Sequence, residues 1–209
     1  MRTPRSVKAL EDFGRIRLSK SFFMRDFLYS EISQIEQIPN LPEQPDHVIE
    51  VGKKLCEEVL EPIQECLGRV AIRSAYRSPA VNAKGAENSN QYNCSRNESN
   101  YGGHIWDFPA TGGVKGATAC IVVPSFLDYY ERTAHWQALA WWVHDNVPGY
   151  SSMYFFPKLA AFNVTWSEEP KKRIHSYITP KGCLTSPGKP NFEGSHQSEY
   201  RDFLSEIET

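Results

Sequence analysis

Residues 100–109 read Asn-Tyr-Gly-Gly-His-Ile-Trp-Asp-Phe-Pro, and the interpretation of the whole chain starts from this stretch. It places one carboxylate, Asp107, among Ile, Trp and Phe side chains. Burying a carboxylate in apolar surroundings is costly unless a partner compensates its charge and its hydrogen bonds. Asp107 is therefore predicted to be hydrogen-bonded structurally, paired with a cation or coordinated to a metal ion, and the function depends on which of these holds.

The size and charge of the chain narrow the class of protein. With 209 residues and a formal net charge of −2, it can bury a core and has no basic footprint for nucleic acid. No apolar run reaches the roughly 18 residues of a membrane span, and the N-terminal region lacks a signal peptide pattern. These features predict a cytoplasmic protein that binds neither a membrane nor a specific nucleic-acid sequence.

The cysteines do not form a recognisable framework. There are five, an odd number, and they are widely spaced with no C-x-x-C pair. This pattern is typical neither of a disulfide scaffold nor of a structural zinc ribbon. They are predicted to be small buried hydrophobes in a reducing compartment: Cys56, Cys66, Cys94, Cys120 and Cys183.

The hydrophobic periodicity predicts an α+β fold with a small antiparallel sheet packed against helices. A long amphipathic helix over 48–67 should kink at Pro62 and end at Gly68. A second helix runs from Trp136 to Val147, and a short one closes the chain over 200–207. Strands are predicted at 70–72, 105–108, 119–123, 153–156 and 162–166.

Composition suggests three parts along the chain. Residues 1–17 are basic and irregular and are predicted to be a loosely held arm. Residues 18–185 form the core domain, and residues 186–209 are a C-terminal extension rich in Pro, Gly and Ser. Within the core, residues 82–99 are predicted to be a long polar loop, which is typical of a functional or disordered segment.

Several short motifs, taken in order, resemble the zinc D-Ala-D-Ala carboxypeptidase and phage L-alanoyl-D-glutamate endolysin family, which shares its fold with the Hedgehog signalling domain. The resemblance covers roughly residues 18–185 and implies a Hedgehog/DD-peptidase-like fold. The motifs are Leu-Ser-x-Ser-Phe-Phe at 18–23, Val-Leu-Glu-Pro-Ile at 59–63, Tyr-Arg-Ser-Pro at 76–79, Asn82, Asn88-Ser89, and Gly103-x-Ile105-x-Asp107-Phe108.

The resemblance also implies a zinc site whose ligands are largely replaced here. In the family, a His and an Asp seven residues apart and a later His hold zinc, and an acid three residues before that His activates the bound water. Asp107 matches the Asp, but Asn100 and Asn163 stand in the two His positions, and Ala160 stands where the acid should be. Asn is a poor zinc ligand compared with imidazole. An insertion would place Tyr92 instead of Asn100 in the first His position, which supplies no imidazole either.

The first hypothesis is accordingly a binding protein without zinc, cofactor or catalysis on a DD-peptidase-like fold. Its former active-site cleft would bind a small anionic ligand: a peptide, a peptidoglycan fragment or a nucleotide. Arg77 would bind the anionic group, although it could instead pair with an acid such as Glu87 and fix the loop. The predicted ligand-binding residues are Tyr76, Arg77, Ser78, Asn100, Asp107 and Asn163.

Two other hypotheses remain open. One is a zinc-dependent peptidase or amidase acting on cell-wall peptides, with Asp107, His104 and His175 as altered metal ligands. The other is a structural or host-interaction module of phage type with no small-molecule site. His135 and His144 belong to the Trp-rich helix and are predicted to be surface or satisfied core histidines, and the Trp side chains are predicted to be mostly core.

Overall fold

A six-stranded mixed sheet lies at the centre of the protein, as seen in a computed structural model that describes residues 1–87 and 92–207. The order of the strands across the sheet is β1-β2-β4-β3-β5-β6. Helices pack against it, so the α+β class is confirmed. The strands are β1 (Ala71–Ser74), β2 (Gly116–Val122), β3 (Tyr150–Phe155), β4 (Phe162–Ser167), β5 (Arg173–Ser176) and β6 (Gly182–Thr185).

The sequence predicted an antiparallel sheet, and the structure corrects this: the sheet is mixed. β3 and β5 are parallel neighbours, with Met153 opposite Ile174 and Tyr154 opposite His175. After β4, residues 168–172 carry the chain past the end of β3 to its far side. Because β3 and β4 are antiparallel, a strand that returns beyond β3 runs in the direction of β3 itself. The other neighbouring pairs of the sheet are antiparallel.

Helices pack against the sheet in the described part of the chain. None of them combines the length and the apolar character needed to cross a bilayer. The helices are α1 (Val7–Gly14), α2 (Glu31–Glu36), α3 (Pro45–Leu55), α4 (Glu61–Leu67), α5 (Pro79–Glu87), α6 (Asn97–Asn100), α7 (Leu127–Thr133), α8 (Gln137–Asn146) and α9 (Gln197–Ile207). Short 3₁₀ turns lie at Met24–Phe27, Pro124–Phe126 and Lys158–Ala160.

The predicted long helix is present as α3 and α4, joined by a π-helical turn at Cys56–Leu60. Pro62 follows this π-helical turn within a continuous helix, and its ring lacks the N–H that would bond to the preceding turn. Gly68 ends α4 with φ of +81°, as predicted for a C-terminal glycine. The apolar residues that predicted the helix are buried in the core: Val48, Val51, Leu55, Val59, Ile63 and Leu67.

Side chains alternate along the strands between the core and a polar face. In β4, Phe162, Val164 and Trp166 are buried, whereas Asn163 and Thr165 are partly exposed on the other face. This alternation is the expected consequence of the two-residue period of a strand. The predicted strands at 119–123, 153–156 and 162–166 correspond to β2, β3 and β4, and the one at 70–72 to β1.

Residues 105–108, predicted to be a strand, form tight turns instead. Gly102 has φ of +65°, and its N–H donates to Phe108 O at 2.8 Å, which folds the segment back on itself. The folded segment is attached to β2, because Thr118 N donates to Gly103 O at 3.0 Å and Trp106 Nε1 donates to Thr118 O at 3.2 Å. The stretch therefore reaches the polar face as a turn beside the sheet.

The outer segments are more ordered than composition suggested. Residues 1–17 include α1, whose Phe13 is buried, and residues 186–209 include α9, whose Phe203 is buried. The predicted polar loop at 82–99 begins inside α5 and ends with α6. The Asn88-Ser89 step of the resemblance lies outside the described residues. All five cysteines are free, and burial raises the pKa of the Cys56 thiol.

Candidate ligand-binding groove

The polar face of the sheet carries a groove formed by β2, β4, β3 and β5 together with the 99–104 turn. One cavity of about 300 Å³ lies over the strands, and a second of about 330 Å³ continues from it. The two share Ser99, Gly103, Thr118, Ser152 and Thr165. The side chains that give the first cavity its chemistry are Asn100, His104, Tyr154, Asn163, Arg173 and His175.

The strand register places these side chains in two rows. In the first row, Asn163 of β4 lies opposite Tyr154 of β3, and Tyr154 lies opposite His175 of β5. The second row contains Thr118, Thr165, Ser152 and Arg173, each opposite the next across β2, β4, β3 and β5. Residues two apart on a strand share a face, so the two rows lie side by side in the groove.

The first cavity has an electropositive lining. Arg173 is exposed, and no acidic partner pairs with its guanidinium in the part of the chain that the structure describes. The described lining of this cavity contains no carboxylate. In the second cavity, Lys171 and Glu169 both contribute, and Lys115 pairs with Glu50. Arg173 therefore sets the charge of the first cavity.

His104 and Asn163 form a fixed pair at the base of the groove. His104 is 6% exposed, its Nδ1 lies 2.7 Å from Ala75 O, and its ring hydrogen-bonds the Asn163 side chain. Burial lowers the pKa of His104 to about 3, and the Arg77 charge acts in the same direction. The hydrogen bonds to the Ala75 carbonyl and to Asn163 favour the protonated ring and act against this lowering of the pKa, but burial outweighs them. His104 thus lies beside Asn163 as a buried, neutral ring.

Asp107, the residue from which the sequence argument started, does not line the groove. It is fully buried, and its Oδ1 accepts hydrogen bonds from the backbone N–H groups of Glu43 at 2.7 Å and Gln44 at 2.8 Å. Its Oδ2 accepts from the Tyr76 hydroxyl at 2.7 Å. These bonds satisfy the carboxylate without a ligand or a metal, so we correct the predicted binding role of Asp107 to a structural one.

The predicted Tyr76-Arg77-Ser78 unit is also placed behind the groove. Burial and the neighbouring Asp107 charge raise the pKa of Tyr76, whose hydroxyl is committed to that carboxylate. The Ser78 hydroxyl accepts from Val81 N at 3.3 Å at the start of α5. Arg77 is directed at Cys94, with Nη1 2.6 Å from Sγ, and burial lowers its pKa. Neither the predicted ligand role of Arg77 nor the alternative Glu87 pairing matches this placement.

Asn100 and His175 do face the groove. Asn100 Nδ2 donates to Asn82 Oδ1 at 3.2 Å and to Ser95 O at 3.1 Å, which holds the amide at the wall. His175 stacks on Tyr154 with ring centroids 5.9 Å apart and planes at 16°. Of the six predicted binding residues, the structure therefore brings Asn100 and Asn163 together and leaves Tyr76, Arg77, Ser78 and Asp107 outside.

The zinc set that the resemblance implies does not fit these residues. The resemblance assigns Asn100 and Asn163 to its two imidazole positions, and the Asp107 oxygens are occupied by backbone and Tyr76 donors. The alternative set of Asp107, His104 and His175 is not assembled either. Among residues 1–87 and 92–207, three potential metal ligands come within 4.8 Å of one another only at His144, Asp145 and His196.

Sequence reasoning missed Arg173 and Tyr154. Arg173 ends the run Lys171-Lys172-Arg173, whose composition is typical of a solvated turn, but it is the first residue of β5. The sequence signal for this strand was the polar–apolar–polar order of Arg173, Ile174 and His175. In the structure, Ile174 is buried and Arg173 is exposed. A four-residue strand carries too few positions for this alternation to stand out.

The chain matches no protein-family model, no curated protein and no solved structure. The function of the groove must therefore be argued from its own chemistry. That chemistry consists of one unpaired guanidinium, two amides, two imidazoles and a row of hydroxyl groups.

Proposed function

We propose that the protein binds a small anionic ligand in this groove: a peptide, a peptidoglycan fragment or a nucleotide. The observation that carries the proposal is an Arg173 guanidinium without an acidic partner in the described chain, at a cavity whose described lining has no carboxylate. A guanidinium presents a planar fork that matches a carboxylate or a phosphate. The amides of Asn100 and Asn163 would bind the polar groups beside the anion.

We further propose that the fold is Hedgehog/DD-peptidase-like and that the groove is the former active-site cleft. Two observations support this. Asn100 and Asn163, the residues that stand in the family's two imidazole positions, line the same cavity although 63 positions separate them in the chain. The sheet also presents its polar face there, with helices on the core side.

The groove chemistry favours binding without hydrolysis. General-base catalysis by a hydrolase needs a group that can accept a proton near the reacting atom. Burial holds His104 neutral, its Nδ1 is engaged by the Ala75 carbonyl, and Ala160 stands where the resemblance places the catalytic acid. No carboxylate of the described chain lines the first cavity to replace it, and the remaining imidazole there, His175, is stacked on Tyr154.

Isothermal titration calorimetry tests the proposal with three probes: an N-acylated D-alanyl-D-alanine dipeptide, a muramyl peptide and adenosine monophosphate. We expect saturable binding of at least one probe and a loss of at least tenfold in affinity for Arg173→Gln. Lys158→Gln is the matched control, because Lys158 is an exposed cation that does not line the groove. Equal affinity in both variants, or no binding of any probe, would contradict the proposal.

A further inference from the structure

The face of the sheet that forms the groove continues into a set of aromatic side chains. Phe156 follows Tyr154 just beyond β3, and Tyr177 follows His175 just beyond β5, where Tyr177 N donates to Phe155 O at 2.9 Å. Residues two apart on a strand share a face. Tyr154 and His175 also line the first cavity, so this set begins inside the groove. We call its four members the aromatic strip: Tyr154, Phe156, His175 and Tyr177.

The rings of the aromatic strip are stacked on one another. Tyr154 and His175 meet at 16° with centroids 5.9 Å apart, and Phe156 and Tyr177 meet at 27°, also at 5.9 Å. Along β3, Tyr154 and Phe156 meet at 24° and 5.8 Å. Offset stacks with centroids about 4.5–7 Å apart are a preferred geometry of aromatic rings. A further planar ring can therefore join the stack while the sheet keeps its conformation.

The stack ends at β5, where ring surface is left open. β6 places the small Cys183 opposite His175, and no residue of Gly182–Thr185 is aromatic. Tyr177 is 53% exposed. A contiguous exposed aromatic surface beside a polar groove is typical of a ligand-binding site. The aromatic strip therefore offers a planar ligand group a place next to the anion site.

Arg173 lies within reach of the same stack. It precedes His175 by two positions and Tyr177 by four, which corresponds to about 7 and about 13 Å along the chain. The long apolar stem of an arginine side chain spans part of such a separation. The shorter separation matches a base and a phosphate that are joined by one ribose. The groove thus presents a cation and a stacking surface at the spacing of a nucleotide.

We propose that the ligand of the groove is a nucleoside monophosphate whose base stacks on the aromatic strip and whose phosphate binds Arg173. This inference rests on the proposed function and selects one of its three ligand classes. A D-alanyl-D-alanine peptide has no planar ring, and the sugars of a peptidoglycan fragment are saturated. The amides of Asn100 and Asn163 and the row of hydroxyl groups suit the ribose. Stacking accepts every base, because every base has a π-face.

Isothermal titration calorimetry of the full chain compares compounds that contain the base, the phosphate or both. The compounds are adenosine monophosphate, uridine monophosphate, adenosine and ribose 5-phosphate. Both nucleotides should bind, and ribose 5-phosphate should bind about 5- to 150-fold more weakly than adenosine monophosphate, since one base stacked on an aromatic side chain contributes that factor. Adenosine should also bind more weakly and, unlike the nucleotides, should be insensitive to Arg173→Gln.

Variants of Tyr177 locate the base. Tyr177→Ala should weaken the binding of adenosine monophosphate by a similar factor and leave that of ribose 5-phosphate unchanged. Tyr177→Phe should keep the nucleotide affinity, because it keeps the ring. Tyr29→Ala is the matched control, since Tyr29 is 57% exposed and lines neither cavity of the groove. Far-ultraviolet circular dichroism checks that every variant folds.

The failure of this inference is distinguishable from that of the proposed function. Equal affinity for adenosine monophosphate and ribose 5-phosphate, or nucleotide binding that is unchanged in Tyr177→Ala, would overturn the inference and leave the anion site in place. Binding of the dipeptide or the muramyl peptide without binding of either nucleotide would do the same. If no compound binds, or if Arg173→Gln leaves the affinity of every anionic compound unchanged, the proposed function fails together with the inference.

Discussion

At position 107 a buried carboxylate holds three parts of the chain together. Asp107 accepts the backbone N–H groups of Glu43 and Gln44, which precede α3, and the hydroxyl of Tyr76, which follows β1. The sequence shows that such a carboxylate needs a partner. It could not show which partner, because the donors lie 31 to 64 positions away and two of them are backbone groups that any residue type provides.

Replacing Asp107 by Asn should therefore destabilise the fold. The amide keeps one acceptor but directs an N–H₂ group toward donors, so buried N–H groups lose their partner. We expect the free energy of unfolding to fall by about 3 kcal/mol, measured by urea denaturation. Asp128→Asn, at an exposed position on α7, should change it by less than about 0.5 kcal/mol. A similar small loss at both positions would contradict the structural role of Asp107.

His104 should make stability depend on pH. Its pKa is about 3 in the folded chain, whereas an unperturbed histidine, as in the unfolded chain, has a pKa of 6.5. Above pH 6.5 both states carry a neutral ring, whereas below it the unfolded chain binds a proton that the folded chain does not. The free energy of unfolding should therefore decrease as the pH falls from 6.5 toward 3, by up to about 1.4 kcal/mol per pH unit.

Urea denaturation of the wild type and His104→Gln between pH 7 and pH 4.5 measures this contribution. The slope should be smaller in His104→Gln than in the wild type, because the variant lacks the buried ring whose pKa is lowered. Parallel pH profiles for the wild type and His104→Gln would show that the buried ring is not the source of the slope.

Among the elements, those with a long or regular pattern could be predicted from the sequence. The apolar positions of α3, α4, β2 and β4 recur with the period of their element, and the structure confirms them. The parallel position of β5 could not be predicted, because a short connection fits either side of β3. The turn at 105–108 was missed for a different reason: apolar residues suggested a strand, but the positive φ of Gly102 folds the segment back.

Gly116, the first residue of β2, is required by the close approach of this turn. A Cβ atom there would lie 2.3 Å from Gly102 O and 3.1 Å from Trp166 O, both of them backbone atoms. Gly116→Ala should lower the free energy of unfolding by about 3 kcal/mol, measured by thermal or urea denaturation. In Gly14→Ala the nearest contact of the new Cβ is 3.3 Å from the Arg25 side chain, so we expect a change below about 1 kcal/mol. Equal effects would contradict the packing of the turn on β2.

At the scale of the whole molecule, the first helix, α1, and the last described helix, α9, each contribute a side chain to the core. Phe13 of α1 and Phe203 of α9 are each at most 1% exposed. Composition alone suggested a loose arm and an extension, because Pro, Gly, Ser and charged residues outnumber the few aromatic residues that anchor these segments. The local sequence holds little information on such anchors, since their partners lie far away in the chain.

The anchoring of α9 can be measured through Phe203. Its ring contacts Phe126 edge-on at 4.9 Å between centroids and Tyr129 at 5.7 Å. Phe203→Ala should lower the free energy of unfolding by about 3–5 kcal/mol, measured by urea denaturation. Arg201→Ala on the same helix removes an exposed side chain and should have little effect. A loss below about 1 kcal/mol for Phe203→Ala would mean that α9 is not part of the cooperative core.

The central claim is that the polar face of the sheet is a binding site for an anion. Chemical-shift mapping of the ¹⁵N-labelled protein with the tightest-binding of the three probes tests it most directly. The account predicts that saturable shifts concentrate on the two rows across β2, β4, β3 and β5, with Arg173 and Asn163 among the largest, and that they vanish in Arg173→Gln. Shifts concentrated around Arg77 and Asp107, or spread over surface lysines without saturation, would contradict it.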